Sequence, residues 1–249
     1  MSKKNIPDFS EEALLWTQGS ALVFGIDEAG RGCLAGPVCA AVSAWKPQAA
    51  TQTFPFLRDS KVMTEKQREH AFPLVQEQAI FFGVGFATAK EIDQWNILRA
   101  TFLAVARAME IALVKVGEQS RQLLTSPIAV LSDGSHPLLS KARFFVFSDQ
   151  YRDEFPRLRE LMNRGLTEKC VVKGDSKVAS ISGASILAKV SRDHWMKKLD
   201  VSFPAFEFAL HKGYSTPRHV ELLQQEGPCI EHRRSFSPVA EAARAFGVK

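Results

Sequence analysis

The sequence predicts an α/β protein. Two observations carry the assignment. Apolar runs of strand length alternate with stretches whose apolar residues recur at helical spacing, and the first two strand-like runs, Leu22 to Ile26 and Val38 to Trp45, read as an antiparallel pair across the intervening loop. At 249 residues the chain can bury a substantial core as one large domain, or as one domain with an appendage.

Taken in order, Ser10 to Gln18 suggests a short helix leading into the first strand, which runs out on Asp27 and Glu28. Neighbouring side chains of a strand point to opposite faces, so both acids reach one site only if the backbone leaves the pleat there, a bend that Gly30 and Gly32 permit. After the second strand, the polar segment Leu57 to Lys61 leads into Thr64 and Gln67, spaced as a capping box for a helix to about Gln78. Ala79 to Ala87 is the next strand, and Thr88 with Glu91 forms a second capping box. The following helix is long; Trp95, Leu98, Phe102, Val105, Met109 and Leu113 form its apolar stripe, and Gly117 is placed to end it.

Pro127 to Leu131 is a strand that delivers Asp133, before Gly134, to the same sheet edge as Asp27. Arg143 to Phe147 and Glu168 to Val172 also read as strands, around an amphipathic helix carrying Phe155, Leu158, Leu161 and Met162. Ser182 to Leu199 reads as a helix with Ile186, Leu187, Val190 and Leu199 inward, and Thr216-Pro217 as the N-cap and first residue of a helix ending near Gly227.

Composition narrows the function classes. Hydrophobic content of 45% with 24% charged residues describes a soluble globular chain. No apolar run reaches the roughly 18 residues of a membrane span, and the start, MSKKNIPDFSEEALLW, lacks the apolar segment of a secretory signal, so a cytoplasmic protein is expected. Cysteines at 33, 39, 170 and 229 form no CxxC pair and no zinc-like cluster, and are expected to be reduced. The net charge of +5 favours polyanionic partners only weakly, so location matters more than total. Lys212, Arg218, Arg233 and Arg234 concentrate positive charge in the C-terminal part, and are candidates for contacts along a nucleic-acid backbone.

An Asp-Glu pair alone is usually a solvated loop, and a Gly-x-Gly alone is usually a turn. Their combination differs. Acids at a strand end, bordered by two glycines around Arg31, place metal-binding oxygens beside an anion-binding backbone, as metal-assisted phosphoryl chemistry requires. GIDEAGRGCLAGPV, with Cys33 where a proline is more usual, resembles the signature of the ribonuclease HII family. KGDSKVASISGASILAKVSRD resembles that family's second large block, HKGYSTPRHVELLQQEG with EHRRSF the third, and LRDSK and EIDQWNILRAT further stretches, so the resemblance runs from about 22 to 236. One departure is sizeable: 42 positions separate Asp133 from Asp175, and the excess, around Arg143 to Thr167, reads as an inserted strand and helix.

The resemblance implies a mixed five-stranded, ribonuclease H-like sheet flanked by helices, in a single domain whose helical C-terminal extension, from about 201 to 249, closes over the substrate. It implies a four-acid site of Asp27, Glu28, Asp133 and Asp175. Crowded carboxylates repel until a cation supplies positive charge, and oxygen ligands select a hard ion, Mg²⁺ or Mn²⁺; two ions about 4 Å apart would serve an in-line displacement. Asp193 is a rival for the fourth acid and reads first as a partner for a nearby arginine. No histidine is placed with the acids. The implied partners are RNA/DNA hybrids and duplex DNA containing single ribonucleotides, cut to leave 5′-phosphate and 3′-hydroxyl ends by a monomeric enzyme. Gly30, Arg31 and Gly32 would offer backbone groups to a 2′-hydroxyl and Tyr214 would press on the next, deoxy sugar, with Lys61, Lys212, Arg233 and Arg234 as phosphate contacts. The rivals are a non-catalytic hybrid-binding module, which gains nothing from crowded acids, a DNA-directed nuclease of the same fold, which has no use for the glycine triplet and Tyr214, and the sister type 3 enzyme, for which a different triplet and a longer N-terminal region are expected.

Overall fold

In the computed structural model, which describes residues 6–248, a short helix α1 (Ser10–Thr17) leads into the hairpin of β1 (Leu22–Ala29) and β2 (Val38–Ala44). The two strands pair antiparallel, from Phe24 opposite Ala44 to Ala29 opposite Cys39. The first five residues of the start, which the sequence analysis included, lie outside the described residues. α2 (Glu65–Gln78) begins at the Thr64–Gln67 capping box, and β3 (Phe81–Ala87) returns antiparallel to β2. α3 (Ala89–Gln119), capped by Thr88 and Glu91, and the short α4 (Arg121–Thr125) lead to β4 (Ile128–Asp133). α5 (Leu138–Lys141), α6 (Arg143–Val146) and α7 (Pro156–Arg164) precede β5 (Thr167–Val171); α8 (Ala179–Ser202), α9 (Phe208–His211), α10 (Pro217–Glu226) and α11 (Ser237–Ala245) complete the chain.

The strand order is β3-β2-β1-β4-β5. Hairpins build one half of the sheet; on the other side of β1, β4 and β5 pair parallel, which requires helical crossovers. Side-chain alternation divides the faces: Phe24 and Ile26 of β1 and Ala40 and Val42 of β2 pack with the α3 residues Leu103, Val105 and Met109, whereas Cys39 and Ala41 pack with α8. A β-carbon on Gly25 would lie 2.2 Å from the Ser180 carbonyl carbon, so glycine there lets α8 lie directly on β1. Among the described residues no helix is long and apolar enough to cross a membrane.

Three expectations change. Arg143 to Phe147 is not a strand but mostly α6; a short apolar run fits either state, and here Phe145 and Val146 fill the space beside α3. The stripe of α3 is broken at Asn96, whose φ of 67° is not helical and whose carboxamide Oδ1 accepts from the Arg99 N–H, capping a restarted helix. The break shifts the phase, so Leu98 is exposed while Phe102, Val105, Met109 and Leu113 are buried. Nor does Gly117 end α3, which runs on to Gln119.

Candidate active site

β1 and β4 lie side by side and parallel, with Ile26 opposite Ser132, so the next residue of each, Asp27 and Asp133, meets the other at one sheet edge. Asp175 arrives from a 3-10 turn, Gly174–Ser176, just beyond β5, and the Gly174 N–H donates to Asp133 Oδ1 at 2.7 Å. One carboxylate oxygen from each of Asp27, Asp133 and Asp175 lies within 4.8 Å of the others. Glu28 is not in this triad. The strand stays paired through Ala29, and the Glu28 carboxylate accepts from Arg31 Nη1 at 3.1 Å while lying near enough to Asp27 and Asp133 to feel their charges.

Burial and the nearby charges of Glu28 and Asp133 hold the Asp27 carboxyl well above the usual carboxylate range, against hydrogen bonds from Ser185 and the Glu28 N–H. Burial also raises Glu28, opposed by Arg31. Lys61 Nζ donates to Asp175 Oδ2 at 2.7 Å; burial alone would lower this lysine, but Asp175 with the fields of Asp27 and Asp133 holds it above its ordinary value. The donor set is oxygen only and carries more negative charge than Lys61 offsets, which fits a hard divalent cation. Asp193 is elsewhere, bonded to Lys189 at 2.7 Å and 3.8 Å from Arg68.

Beside the acids, Arg31 and Gly32 form an exposed turn that follows the buried Gly30, and Cys33 after it bridges antiparallel to Tyr214. Gly30 has φ of 91°, and a β-carbon on it would lie 1.9 Å from Arg192 Nε, so this glycine serves the protein's own packing. Gly32 is the opposite case: a β-carbon there would meet nothing within 4 Å. Tyr214 is 40% exposed, with Lys189 Nζ 5.4 Å and Arg192 Cζ 5.8 Å from its ring centre.

The basic cluster expected to grip a duplex is largely internal. Arg233 is fully buried, its Nε, Nη1 and Nη2 donating to the carbonyls of Gly36 at 2.9 Å, Arg31 at 2.9 Å and Gly30 at 2.7 Å, so it is not a phosphate contact. Lys212 is buried in a left-handed turn, its ammonium bonded to the Ala209 carbonyl and 3.8 Å from Glu65, and its carbonyl held by Arg192. Arg218 is exposed but paired with Glu207 and Glu221. Arg234 is half-buried and donates its backbone N–H to Asp93.

Arg192 escaped the sequence reading altogether. It is fully buried and holds the carbonyls of Pro37, Ala35 and Lys212. A signal existed: with Ser185, Ala188 and Met196 it falls on the inward stripe of α8. A pair of histidines fastens Tyr214 from the other side. The Tyr214 carbonyl accepts from His219 Nδ1 at 2.9 Å, and His232 Nδ1 accepts from the Cys229 N–H at 3.1 Å. That leaves one proton between the two Nε2 atoms, 3.1 Å apart, donated by His232 to His219, so both rings are neutral. Burial pushes His219 down to about 4 and His232 to about 3.

The family model described as Ribonuclease HII matches residues 24–130 and 148–239. The chain belongs to the ribonuclease HII family. It is 39% identical over 238 residues to the ribonuclease HII of Albidiferax ferrireducens, covering 96% of both chains, and 42% identical over 231 residues to that of Desulfitobacterium hafniense, covering 93% of this chain and 74% of that one. The fold is similar to ribonuclease H2 from Pyrococcus horikoshii (TM-score 0.60, 24% identity, 92% of this chain and all of that one). It is also similar to Bst-RNase HIII in complex with Mn²⁺ (TM-score 0.62, 18% identity, 91% of this chain and 70% of that one). Membership of the ribonuclease HII family makes this chain a ribonuclease H, a hydrolase. The match leaves out 131–147, which overlaps the expected insertion of 143–167 only at 143–147. The omitted stretch holds the end of β4, α5 and all of α6, and is tied back to the sheet by Glu168, which accepts from the Leu139 and Ser140 N–H groups and the Ser132 hydroxyl. Asp133 lies within the omitted stretch, at the end of β4.

Proposed function

We propose that this ribonuclease cleaves the RNA strand of RNA/DNA hybrids and the 5′ side of single ribonucleotides in duplex DNA, leaving 5′-phosphate and 3′-hydroxyl ends. The observation that carries the reading is the juxtaposition of three converging aspartates with a glycine turn that is open on its outer side and bridged to an exposed tyrosine. Asp27, Asp133 and Asp175 would hold a divalent cation, Mg²⁺ or Mn²⁺, with Glu28 at the rim. When bound, such ions supply activation of water and charge stabilisation for in-line displacement at phosphorus.

The chain's own groups supply position. Gly32 leaves room for a sugar against the backbone, and the outer face of the Tyr214 ring is placed to pack on the following deoxyribose. Lys61 is long and exposed enough to turn from Asp175 to a phosphate, and Arg234 and Arg31 remain the candidates for further backbone contacts. A non-catalytic hybrid-binding module is disfavoured because the acids crowd at a cost that binding alone does not repay. Four unpaired cysteines fit work in the cytoplasm, and we take the enzyme to act as a monomer. The test is cleavage of an end-labelled hybrid and of a duplex with one ribonucleotide. Both should be cut with Mg²⁺ or Mn²⁺ and spared under a chelator; restoration by zinc alone would refute the assigned metal chemistry.

A further inference from the structure

The glycine turn is held from beneath by a guanidinium that has no carboxylate partner. Arg233 makes no ion pair within salt-bridge distance among the described residues; all three of its nitrogens are spent on carbonyl oxygens, two of them belonging to Gly30 and Arg31. A buried guanidinium that bonds only carbonyl oxygens, with Asp93 acting on it from beyond salt-bridge distance, is costly, and packing alone does not call for one. The planar fork does what an apolar side chain cannot: it fixes the direction of successive peptide units.

That direction has a chemical consequence. The described residues contain no cis peptide bond, and in a trans peptide the C=O and the following N–H point opposite ways. With the Gly30 and Arg31 carbonyls turned inward onto Arg233, the N–H groups of Arg31 and Gly32 are turned outward, on two exposed residues. Neither N–H donates to an acceptor among the described residues. Beyond Gly32 lies open space that its missing β-carbon preserves.

We propose that Arg233 is a positioning residue for substrate selection, which turns the Arg31 and Gly32 N–H groups outward as a donor pair for the 2′-oxygen of the ribose. The inference rests on the reading that this turn meets the ribonucleotide. In it, the 2′-oxygen is read as an acceptor, and the positive charge of Arg233 acts through the peptides without touching the nucleic acid.

The experiment uses the full chain carrying Asp27→Asn, so that duplexes are bound without being cut, and measures by fluorescence anisotropy the affinity for a duplex with one ribonucleotide and for its all-deoxy counterpart. Two donors to one oxygen should favour the ribonucleotide by about tenfold. Adding Arg233→Lys keeps the charge and loses the fork; the ratio should collapse toward one while affinity for the all-deoxy duplex holds. A folded Arg233→Lys protein that keeps the ratio overturns the proposal, as does an equal loss on both duplexes, which a phosphate contact or general damage would give. Should Arg233→Lys fail to fold, the amide proton shifts of Arg31 and Gly32 in the Asp27→Asn protein decide. Downfield movement with the ribonucleotide duplex only supports the donor pair, and identical shifts with both duplexes overturn it. The underlying reading fails separately, if the wild-type enzyme leaves a single embedded ribonucleotide uncut.

Discussion

The acid triad and the turn that follows its first member, Asp27, lie side by side and are built on opposite electrostatic plans. Around Asp27, Asp133 and Asp175, like charges converge, Lys61 bonds to Asp175, and Asp27 resists ionisation. Under Gly30 to Gly32, each of the six nitrogens of two buried guanidiniums donates to a backbone carbonyl. One region calls for positive charge from outside; the other has its buried charges held from within. The difference separates a place that performs chemistry from a gauge that measures what enters, since chemistry gains from unsatisfied charge and a gauge from rigidity.

If that contrast holds, removing an acid should abolish activity while making the metal-free protein more stable. Asp27→Asn or Asp133→Asn is expected to lower turnover on a hybrid by about a thousandfold or more, through loss of a cation ligand. Asp27→Asn should also raise the unfolding midpoint measured in a chelator, because it removes a buried charge that its neighbours oppose. Near-normal turnover in Mg²⁺ would break the assignment, and a lowered midpoint would break the contrast.

The gauge should respond more mildly. Tyr214→Ala removes a stacking surface that is worth about 1–3 kcal/mol in comparable aromatic contacts with nucleotides, whereas Tyr214→Phe removes only the hydroxyl and should be nearly silent. The loss should fall hardest on the single-ribonucleotide duplex; equal wild-type rates on it and on a long hybrid would remove Tyr214 from junction recognition.

Smallest at neutral pH, but growing with acid, is the effect of the histidine pair. Folded-state values of about 4 for His219 and about 3 for His232 lie below the unfolded 6.5, so the unfolded chain binds more protons between them. Their contribution to stability is therefore complete above 6.5 and is lost as the pH falls toward 3, with a limiting slope of about 1.4 kcal/mol per pH unit for each ring. Urea unfolding of the wild type and of His219→Asn across this window isolates the term, since asparagine does not titrate. Parallel curves would show that His219 is not locked neutral.

How much of this was legible in the sequence follows the same division. The acids could be found because a polar residue at the end of an apolar strand stands out, and Thr64, Thr88 and Thr216 announce their helices through caps that the structure contains. Arg233 and Lys212 were misplaced because a formal charge carries no mark of burial; the carbonyls that neutralise Arg233 come from residues about 200 positions away. The helical state of Arg143 to Val146 was hidden for want of tertiary context, as α3 supplies the surface that the run packs on.

The bridge between Ala35 and His232 has a bearing on biogenesis. Arg233 reaches Gly36 across 197 positions, whereas the acids are complete once Asp175 has been made. During synthesis, the triad can therefore be assembled from emerged chain before the segment that shapes the glycine turn has left the ribosome. On the proposed reading, the acids can be in place before the segment that would confer selection for a ribose.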